Sequence, residues 1–181
     1  MTRSEALQLM EQHIKNKNLR KHCLAMEAVL GHLADRFGED KHLWSLTGLL
    51  HDVDYEITEG NPETHAVVGA QMLREMAVDD RIVHAVLGHN DKAPRETMLD
   101  KAVYASDPLT GLIVAAALIS PDKRLAAIDT QFVLNRFKEK LFAKGANREA
   151  IKTCADLGLS LEEFVSLGLE AMQGISGDLG L

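Results

Sequence analysis

Apolar residues recur along the chain at intervals of three and four, which is the spacing of amphipathic α-helices. The stretch from 19 to 37 shows this clearly, with Leu19, Met26 and Leu33 on one face. No segment alternates steadily between apolar and polar residues, and no Asn-Gly or Asp-Gly pair signals a hairpin. The pattern therefore predicts an all-α protein.

Capping residues and prolines divide this pattern into separate helices. Asp40 stands before an apolar run, where its side chain can accept hydrogen bonds from the first backbone N–H groups of a helix. Asn61-Pro62 predicts the start of a further helix, because proline is favoured at the first helical position. Pro108 predicts a break or a kink, because it disfavours helical backbone at the residue before it.

The length of 181 residues suits one folded unit with a sizeable core. Neither a linker nor an internal repeat interrupts the helical pattern. Residues 1–173 are therefore expected to form a single helical domain. The tail at 174–181 contains three glycines and is expected to be flexible.

The net charge of −7, from 20 basic and 27 acidic residues, argues against broad binding to nucleic acids or anionic membranes. No apolar run is expected to be long enough to cross a bilayer, and residues 1–5 lack the apolar core of a signal peptide. Cys23 and Cys154 form neither a Cys-x-x-Cys pair nor a disulfide framework. We therefore expect a reducing, cytoplasmic location.

Histidines and aspartates occupy inward positions on several of the predicted helices. Burying such groups is costly unless each one finds a partner, and a shared metal site would satisfy all of them together. Any one of these histidines alone is more often a satisfied core residue than a ligand. Their combination is what indicates a site, and its members are His22, His51, Asp52, His65, His89 and Asp107.

Imidazole nitrogens and carboxylate oxygens are ligands that iron, manganese and zinc all accept. Four histidines and two aspartates can hold two divalent transition-metal ions, with Asp52 as a bridge because a carboxylate has two oxygens. Adjacent residues of a helix point about 100° apart. His51 and Asp52 can therefore share an ion only at a helix end or through that bridge. Paired ions of this kind suit the hydrolysis of phosphate esters.

The order of these residues along the chain resembles a known family. His22 comes first, the pair His51-Asp52 follows, and Asp107 comes last, as in the HD superfamily of metal-dependent phosphohydrolases, which is named for its His-Asp pair. The resemblance implies a multi-helix bundle of the HD type with the metal site in its core.

The resemblance covers roughly residues 18–110, which leaves the helices of residues 120–173 as additions. The segments Thr64–Ala70 and Gly88–Asn90 resemble further ligand regions of the binuclear members of the superfamily. If both carry over, the complete six-residue set would bind two ions.

The resemblance also implies an activity. The chain would be a metal-dependent phosphohydrolase of a small-molecule phosphomonoester or phosphodiester, with a nucleotide as the favoured example, and the ions would activate water to hydroxide. Asp52 and Asp54 are the expected catalytic carboxylates. The lysine that often follows the pair in relatives is absent here, and Asp54, which brings a negative charge to this stretch, could orient a ligand histidine or act as a general base.

Three further residues are expected to bind the substrate. Ser106 and Thr110 flank Asp107 and could donate hydrogen bonds to phosphate oxygens, although local bonding to the backbone near Pro108 is the simpler interpretation. Lys138 lies on a basic helix face and could reach the phosphate, with a solvated surface position as its alternative.

Two other functions remain open on the sequence alone. A di-iron oxygenase of the HD superfamily would use the same ligand types, and a non-catalytic HD module would bind a nucleotide or a partner as a sensor. The complete ligand set disfavours the sensor, because a module without catalysis has less need of it. The sequence does not fix the oligomeric state.

Overall fold

Ten α-helices and two short 3₁₀ helices make up the regular structure in a computed structural model, which describes residues 1–181. The structure contains no strand, so the all-α prediction is confirmed. The helices are α1 (Arg3–His13), α2 (Lys17–Phe37), α3 (Lys41–Leu50), α4 (Val67–Glu75), α5 (Asp80–His89), α6 (Met98–Ile119), α7 (Thr130–Lys138), α8 (Arg148–Lys152), α9 (Leu161–Gly174) and α10 (Ser176–Leu179). The 3₁₀ helices are Leu125–Ala127 and Thr153–Leu157.

The two longest helices, α2 and α6, form the centre of the bundle. Helix α2 packs against α3, α6, α9 and α10, while α6 also packs against α5, α7 and α8. One continuous cluster of 49 buried apolar residues connects these helices, so they share a single core.

Helix α6 runs without interruption through Pro108, so the predicted break is wrong. Proline removes one backbone N–H, which leaves only the carbonyl of Tyr104 without its usual partner inside the helix. The residues on both sides of Pro108, including Ala105, Leu109 and Leu112, are fully buried, and this packing outweighs the loss of one hydrogen bond.

Helix α6 also bears on the expectation that no apolar run could cross a bilayer. A stretch of 18 residues within this 22-residue helix has a mean hydropathy of 1.6 and meets the length and composition of a membrane span, so by those two criteria the expectation is wrong. More than half of that stretch (56%) lies buried inside the bundle, as in the central helix of a helical core.

The segment between α3 and α4 differs from the predicted helix start at Asn61-Pro62. Residues 51–65 form a succession of turns, and α4 begins only at Val67. Its N-cap residue, Ala66, contributes no side-chain hydrogen bond to the helix. The carboxylate of Asp54 caps α4 instead, because its Oδ2 accepts the backbone N–H of Gly69 at 2.8 Å.

The end of the chain contains a short helix that packs on the bundle, and the expected flexibility of residues 174–181 stays a prediction. Residues Ser176–Leu179 form the short helix α10, which packs against α2. Leu179 is only 2% exposed. Burial of this apolar side chain holds the tail against the bundle, despite its glycines.

Candidate metal centre

The six histidines and aspartates predicted to bind metal converge at one end of the bundle. His22 lies in α2 and Asp107 in α6, whereas His51 and His89 stand at the carboxyl ends of α3 and α5. The other two belong to the turn segment, Asp52 at its start and His65 just before α4. Helix ends suit this purpose, because neighbouring residues there can point to one place.

The six side chains form two groups of three, and each group could hold a metal ion. One group is His22, His51 and Asp107, and the other is Asp52, His65 and His89; the ligand atoms within each group lie within 4.8 Å of one another. In the first group, Nε2 of His22 lies 3.1 Å from Nε2 of His51 and 3.1 Å from Oδ1 of Asp107.

Asp52 faces both groups with different oxygens. Its Oδ2 lies 3.6 Å from Nε2 of His22 and 3.5 Å from Nε2 of His51. Its Oδ1 lies 3.2 Å from Nε2 of His65 and 3.5 Å from Nε2 of His89. This placement is the one expected of a carboxylate that bridges two ions.

The outer nitrogen of every imidazole in the centre is held by an acceptor. Nδ1 of His51 donates to the carbonyl oxygen of Gly48 at 2.8 Å, and Nδ1 of His89 donates to the carbonyl oxygen of Val86. A carbonyl can only accept, so Nδ1 must carry the proton in both rings. The Nε2 lone pair of a neutral ring then points into the centre, as a ligand nitrogen must.

The same orientation fits the other two histidines. Nδ1 of His65 donates to Oδ1 of Asp54 at 2.9 Å. Nδ1 of His22 lies 3.0 Å from the hydroxyl oxygen of Thr110, which in turn donates to the carbonyl oxygen of Asp107 at 2.9 Å.

The inward nitrogens approach one another closely in both groups. The Nε2 atoms of His65 and His89 are 3.0 Å apart, much as those of His22 and His51 are 3.1 Å apart. Two lone pairs at that distance repel unless a cation or a proton lies between them. The residues present therefore fit divalent metal ions both in ligand type and in orientation.

Comparison with known proteins gives the family. The family model for the HD domain matches residues 19–125, more than half of the chain, and this region contains all six convergent residues. The chain belongs to the HD domain family. The resemblance to the HD superfamily of metal-dependent phosphohydrolases is thereby confirmed.

The curated relatives of this HD domain include proteins named Ribonuclease Y. The protein from Desulfotalea psychrophila is 30% identical over 138 residues, which cover 74% of this chain and 26% of that protein. The one from Chloroflexus aurantiacus is 27% identical over 136 residues, covering 74% of this chain and 27% of that protein. The one from Lawsonia intracellularis is 31% identical over 103 residues, covering 56% and 20%. The chain thus spans about a quarter or less of the length of these relatives. No solved structure matches the chain.

Asp54 lies behind the centre of the HD domain and does not contact its cleft. Its side chain is fully buried, and its two oxygens accept hydrogen bonds from His65 and from the backbone of Gly69. Of the roles considered for Asp54, the geometry favours orienting His65. It does not suit a general base, because a fully buried carboxylate cannot reach a substrate.

The three predicted substrate-binding residues do not line the cleft. Thr110 holds His22 from behind and is 1% exposed. Ser106 is fully buried, and its hydroxyl has no hydrogen-bond partner. Lys138 is exposed at the end of α7, which packs on α6 and α9. Ser106 and Thr110 are near Asp107 in sequence, and Lys138 is near other cations. This nearness in sequence does not determine the direction in which their side chains point.

Two glycines let the pieces of the centre approach. A Cβ on Gly48 would lie 2.5 Å from backbone atoms of Met26, so α2 and α3 can cross this closely only because Gly48 has no side chain. A Cβ on Gly69 would lie 3.0 Å from the carboxyl carbon of Asp54. Close contact at these positions brings His22 to His51 and seats the carboxylate behind His65.

The charges of the centre stabilise one another in the metal-free chain. Burial raises the pKa of Asp52, but the nearby histidines, His51 foremost, outweigh it and hold the pKa well below its usual value. Burial lowers the pKa of His65, but its hydrogen bonds to Asp52 and Asp54 raise it to about 9. Burial lowers the pKa of His51. In the absence of metal, His65 is therefore protonated at neutral pH.

An open cleft of about 940 Å³ gives access to the centre. Most of the residues that line the cleft could not be predicted from the sequence, because the only signal for residues such as Tyr55 and Asn90 is their position beside the ligand motifs. The residues that line the cleft beyond the centre are Asn16, Asn18, Leu19, Tyr55, Glu56, Glu59, Gly60, Pro62 and Asn90.

Proposed function

We propose that this HD domain is a metal-dependent phosphohydrolase that cleaves a phosphate ester. One observation carries the proposal: two groups of three ligands share Asp52, and all four imidazoles turn Nε2 inward. Such a set suits two divalent ions that share one carboxylate. The partner is then a phosphate-ester substrate that enters through the open cleft.

Two divalent ions held by these residues would lower the pKa of a bound water and offset charge on the phosphoryl oxygens. The chain's own part is to place the ligands and admit the substrate. Thr110, Asp54 and the carbonyls of Gly48 and Val86 fix the ring orientations. The open cleft admits water, which supplies the attacking oxygen, while the departing alcohol takes up a proton as its bond to phosphorus breaks.

A second candidate is cleavage of phosphodiester bonds in RNA. The observation that favours it is the similarity of this chain to the proteins named Ribonuclease Y. Iron would also fit the ligand set, so oxygenase chemistry is separated from hydrolysis by the metal found and by the products. The complete ligand set argues against a non-catalytic sensor.

The test combines elemental analysis with an activity panel. Purified protein, reconstituted with manganese, iron or zinc, is expected to bind close to two ions per chain and to release phosphate or an alcohol from phosphate esters. Asp52→Ala and Asp107→Ala should lose metal and activity together while staying helical. His32→Ala is the control, because His32 lies outside both ligand groups. Full metal occupancy in the two aspartate variants would overturn the ligand assignment.

A further inference from the structure

The walls of the cleft carry no cationic side chain. Fourteen residues line the cavity, and none of them is lysine or arginine. Outside the metal centre, the charged residues in the wall are both acidic, Glu56 and Glu59. Enzymes that bind polyphosphates or nucleic acid backbones place cations along the path of the phosphates, so this cleft lacks a feature that such ligands need.

Three cations near the cleft in sequence bind elsewhere, and Lys21, beside His22, lines an adjoining cavity that shares Asn18 and His22 with the cleft. The guanidinium of Arg20 donates to the carbonyls of Ile14 and Glu11, at 2.6 and 2.8 Å, and so caps the end of α1. Lys15 also donates to the carbonyl of Glu11. Lys92 lies 4.0 Å from Glu63. The cleft therefore lacks cations because these side chains turn away from it, although lysine and arginine are present nearby in the sequence.

Neutral hydrogen-bonding groups take their place. The side-chain amide of Asn18 has no partner within the protein, and the NH₂ group of Asn16 is free because only its oxygen is used, as the N-cap of α2. The amide nitrogen of Asn90 is bound to the carbonyls of Pro62 and His65, which leaves its oxygen free. Such groups recognise hydroxyls, amides and ring nitrogens.

A single phosphoryl group uses up the positive charge of the loaded centre. Two divalent ions bring four positive charges, and the carboxylates of Asp52, Asp107 and Asp54, which lies directly behind His65, offset three of them, which leaves a net charge of about +1. A phosphomonoester carries a charge of about −1.5 to −2 at neutral pH and more than cancels it. Any further phosphate would meet Glu56 and Glu59, and no lysine or arginine lines the wall to pair with it.

We propose that the cleft selects substrates with one phosphoryl group on an uncharged, hydrogen-bonding body, and that it disfavours polyanions such as nucleoside triphosphates and RNA. This selectivity presupposes the hydrolase activity proposed above. Adenosine 5′-monophosphate represents the favoured class, because its ribose and base are uncharged. Adenosine 5′-triphosphate and a single-stranded RNA octanucleotide represent the disfavoured one.

The experiment measures kcat/KM of the manganese-loaded protein for these three probes at low ionic strength. The monophosphate is expected to exceed both polyanions by about tenfold or more, because repulsion acts on the polyanions alone. Glu59→Lys should lower the ratio of kcat/KM for the monophosphate to kcat/KM for each polyanion by about fivefold or more. Glu39→Lys makes the same charge change at the far end of α2, about 30 Å along the helix from Asn18, and should leave the ratio unchanged.

A binding assay keeps the outcome independent of catalysis. Fluorescence anisotropy of a labelled RNA octanucleotide with the metal-free protein is expected to show no binding below about 100 μM, weaker than non-specific RNA binders achieve. Glu59→Lys should tighten it and Glu39→Lys much less. Cleavage of the triphosphate or the RNA with the same kcat/KM as the monophosphate would overturn the proposed selectivity, and so would RNA binding at micromolar concentration. Both results would leave the hydrolase proposal intact. No cleavage of any probe by a metal-loaded protein would count against the hydrolase, and the anisotropy would still decide the exclusion of RNA.

Discussion

Replacing Asp54 with asparagine would remove one charge from behind the metal centre and keep the shape of the side chain. The carboxylate accepts hydrogen bonds from Nδ1 of His65 at 2.9 Å and from the backbone N–H of Gly69 at 2.8 Å. An amide has only one oxygen, so its NH₂ group would have to face one of these two donors. The site is fully buried, so bulk solvent does not reach it to relieve that conflict.

The magnitude follows from the two hydrogen bonds. A hydrogen bond to a charged group contributes about 1.5–3 kcal/mol, and a buried donor without an acceptor costs about 1–3 kcal/mol. The variant is therefore expected to lose about 3–5 kcal/mol of unfolding free energy. His65 would also lose its fixed orientation. Loss of such a supporting partner typically lowers metal affinity by about 10–100-fold.

Asp100→Asn is a matched control. Asp100 is also buried, and it accepts hydrogen bonds from the backbone N–H groups of Glu96 and Thr97 and lies 3.1 Å from Nδ1 of His84. It lies seven residues before Asp107, about 10.5 Å along α6. Urea denaturation of the metal-free proteins measures stability, and competition with a chelator measures metal affinity. Both variants should be destabilised, and only Asp54→Asn should bind metal more weakly.

Two results would refute this reasoning. If Asp54→Asn keeps the metal affinity of the parent within about twofold, Asp54 only caps α4 and does not position His65. If Asp100→Asn loses metal affinity to the same extent, the loss reflects general destabilisation of the bundle.

Three other predictions concern glycine packing, protonation and a loop anchor. Gly48→Ala should force α2 and α3 apart at Met26, lower the free energy of unfolding by about 1–3 kcal/mol and lower the metal content. Gly111→Ala is the control, because its Cβ meets nothing within 4 Å, and it should change neither the stability nor the metal content. Denaturation measures the stability, and elemental analysis measures the metal content. With the pKa of His65 raised from 6.5 to about 9, its protonated form stabilises the metal-free fold fully below pH 6.5, and that stabilisation is lost as the pH rises through 9. Metal must displace this proton, so calorimetry in two buffers at pH 7.5 should show proton release and an affinity that falls as the pH is lowered. Arg148→Ala removes donors to three carbonyls of the loop after α7 and should cost about 2–4 kcal/mol in thermal unfolding without changing metal content.

The inward direction of His22, His89 and Asp107 could be predicted from the sequence because these residues lie in helices, where periodicity fixes the face on which a side chain stands. A histidine at an apolar position of a helix, such as His22, must point into the core, and a polar group there needs a partner. Chain order and helix ends then indicate which of these residues meet. Binding of metal by them stays a prediction.

The surroundings of the centre could not be predicted in the same way. Asp54 meets His65 and Gly69 across a segment of turns, whose path follows from long-range packing and leaves no periodic signal. Ser106 and Lys138 were predicted as substrate-binding residues from neighbourhood and charge, and these do not fix the direction in which a side chain points. Pro108 shows a local preference that burial overrules, because α6 continues through it.

The hydrogen bonds that hold the outer nitrogens of the four imidazoles have a consequence for how the centre is filled. Each ring is fixed by a group that belongs to the protein itself, such as the carbonyl of Gly48, so the metal site is preformed before an ion binds. Ions should therefore be removable and replaceable without unfolding the chain, and the site should select weakly among cations that accept nitrogen and oxygen ligands. The metal bound in a cell then depends on which metal is available, so the reactivity of the same polypeptide could change with the bound metal.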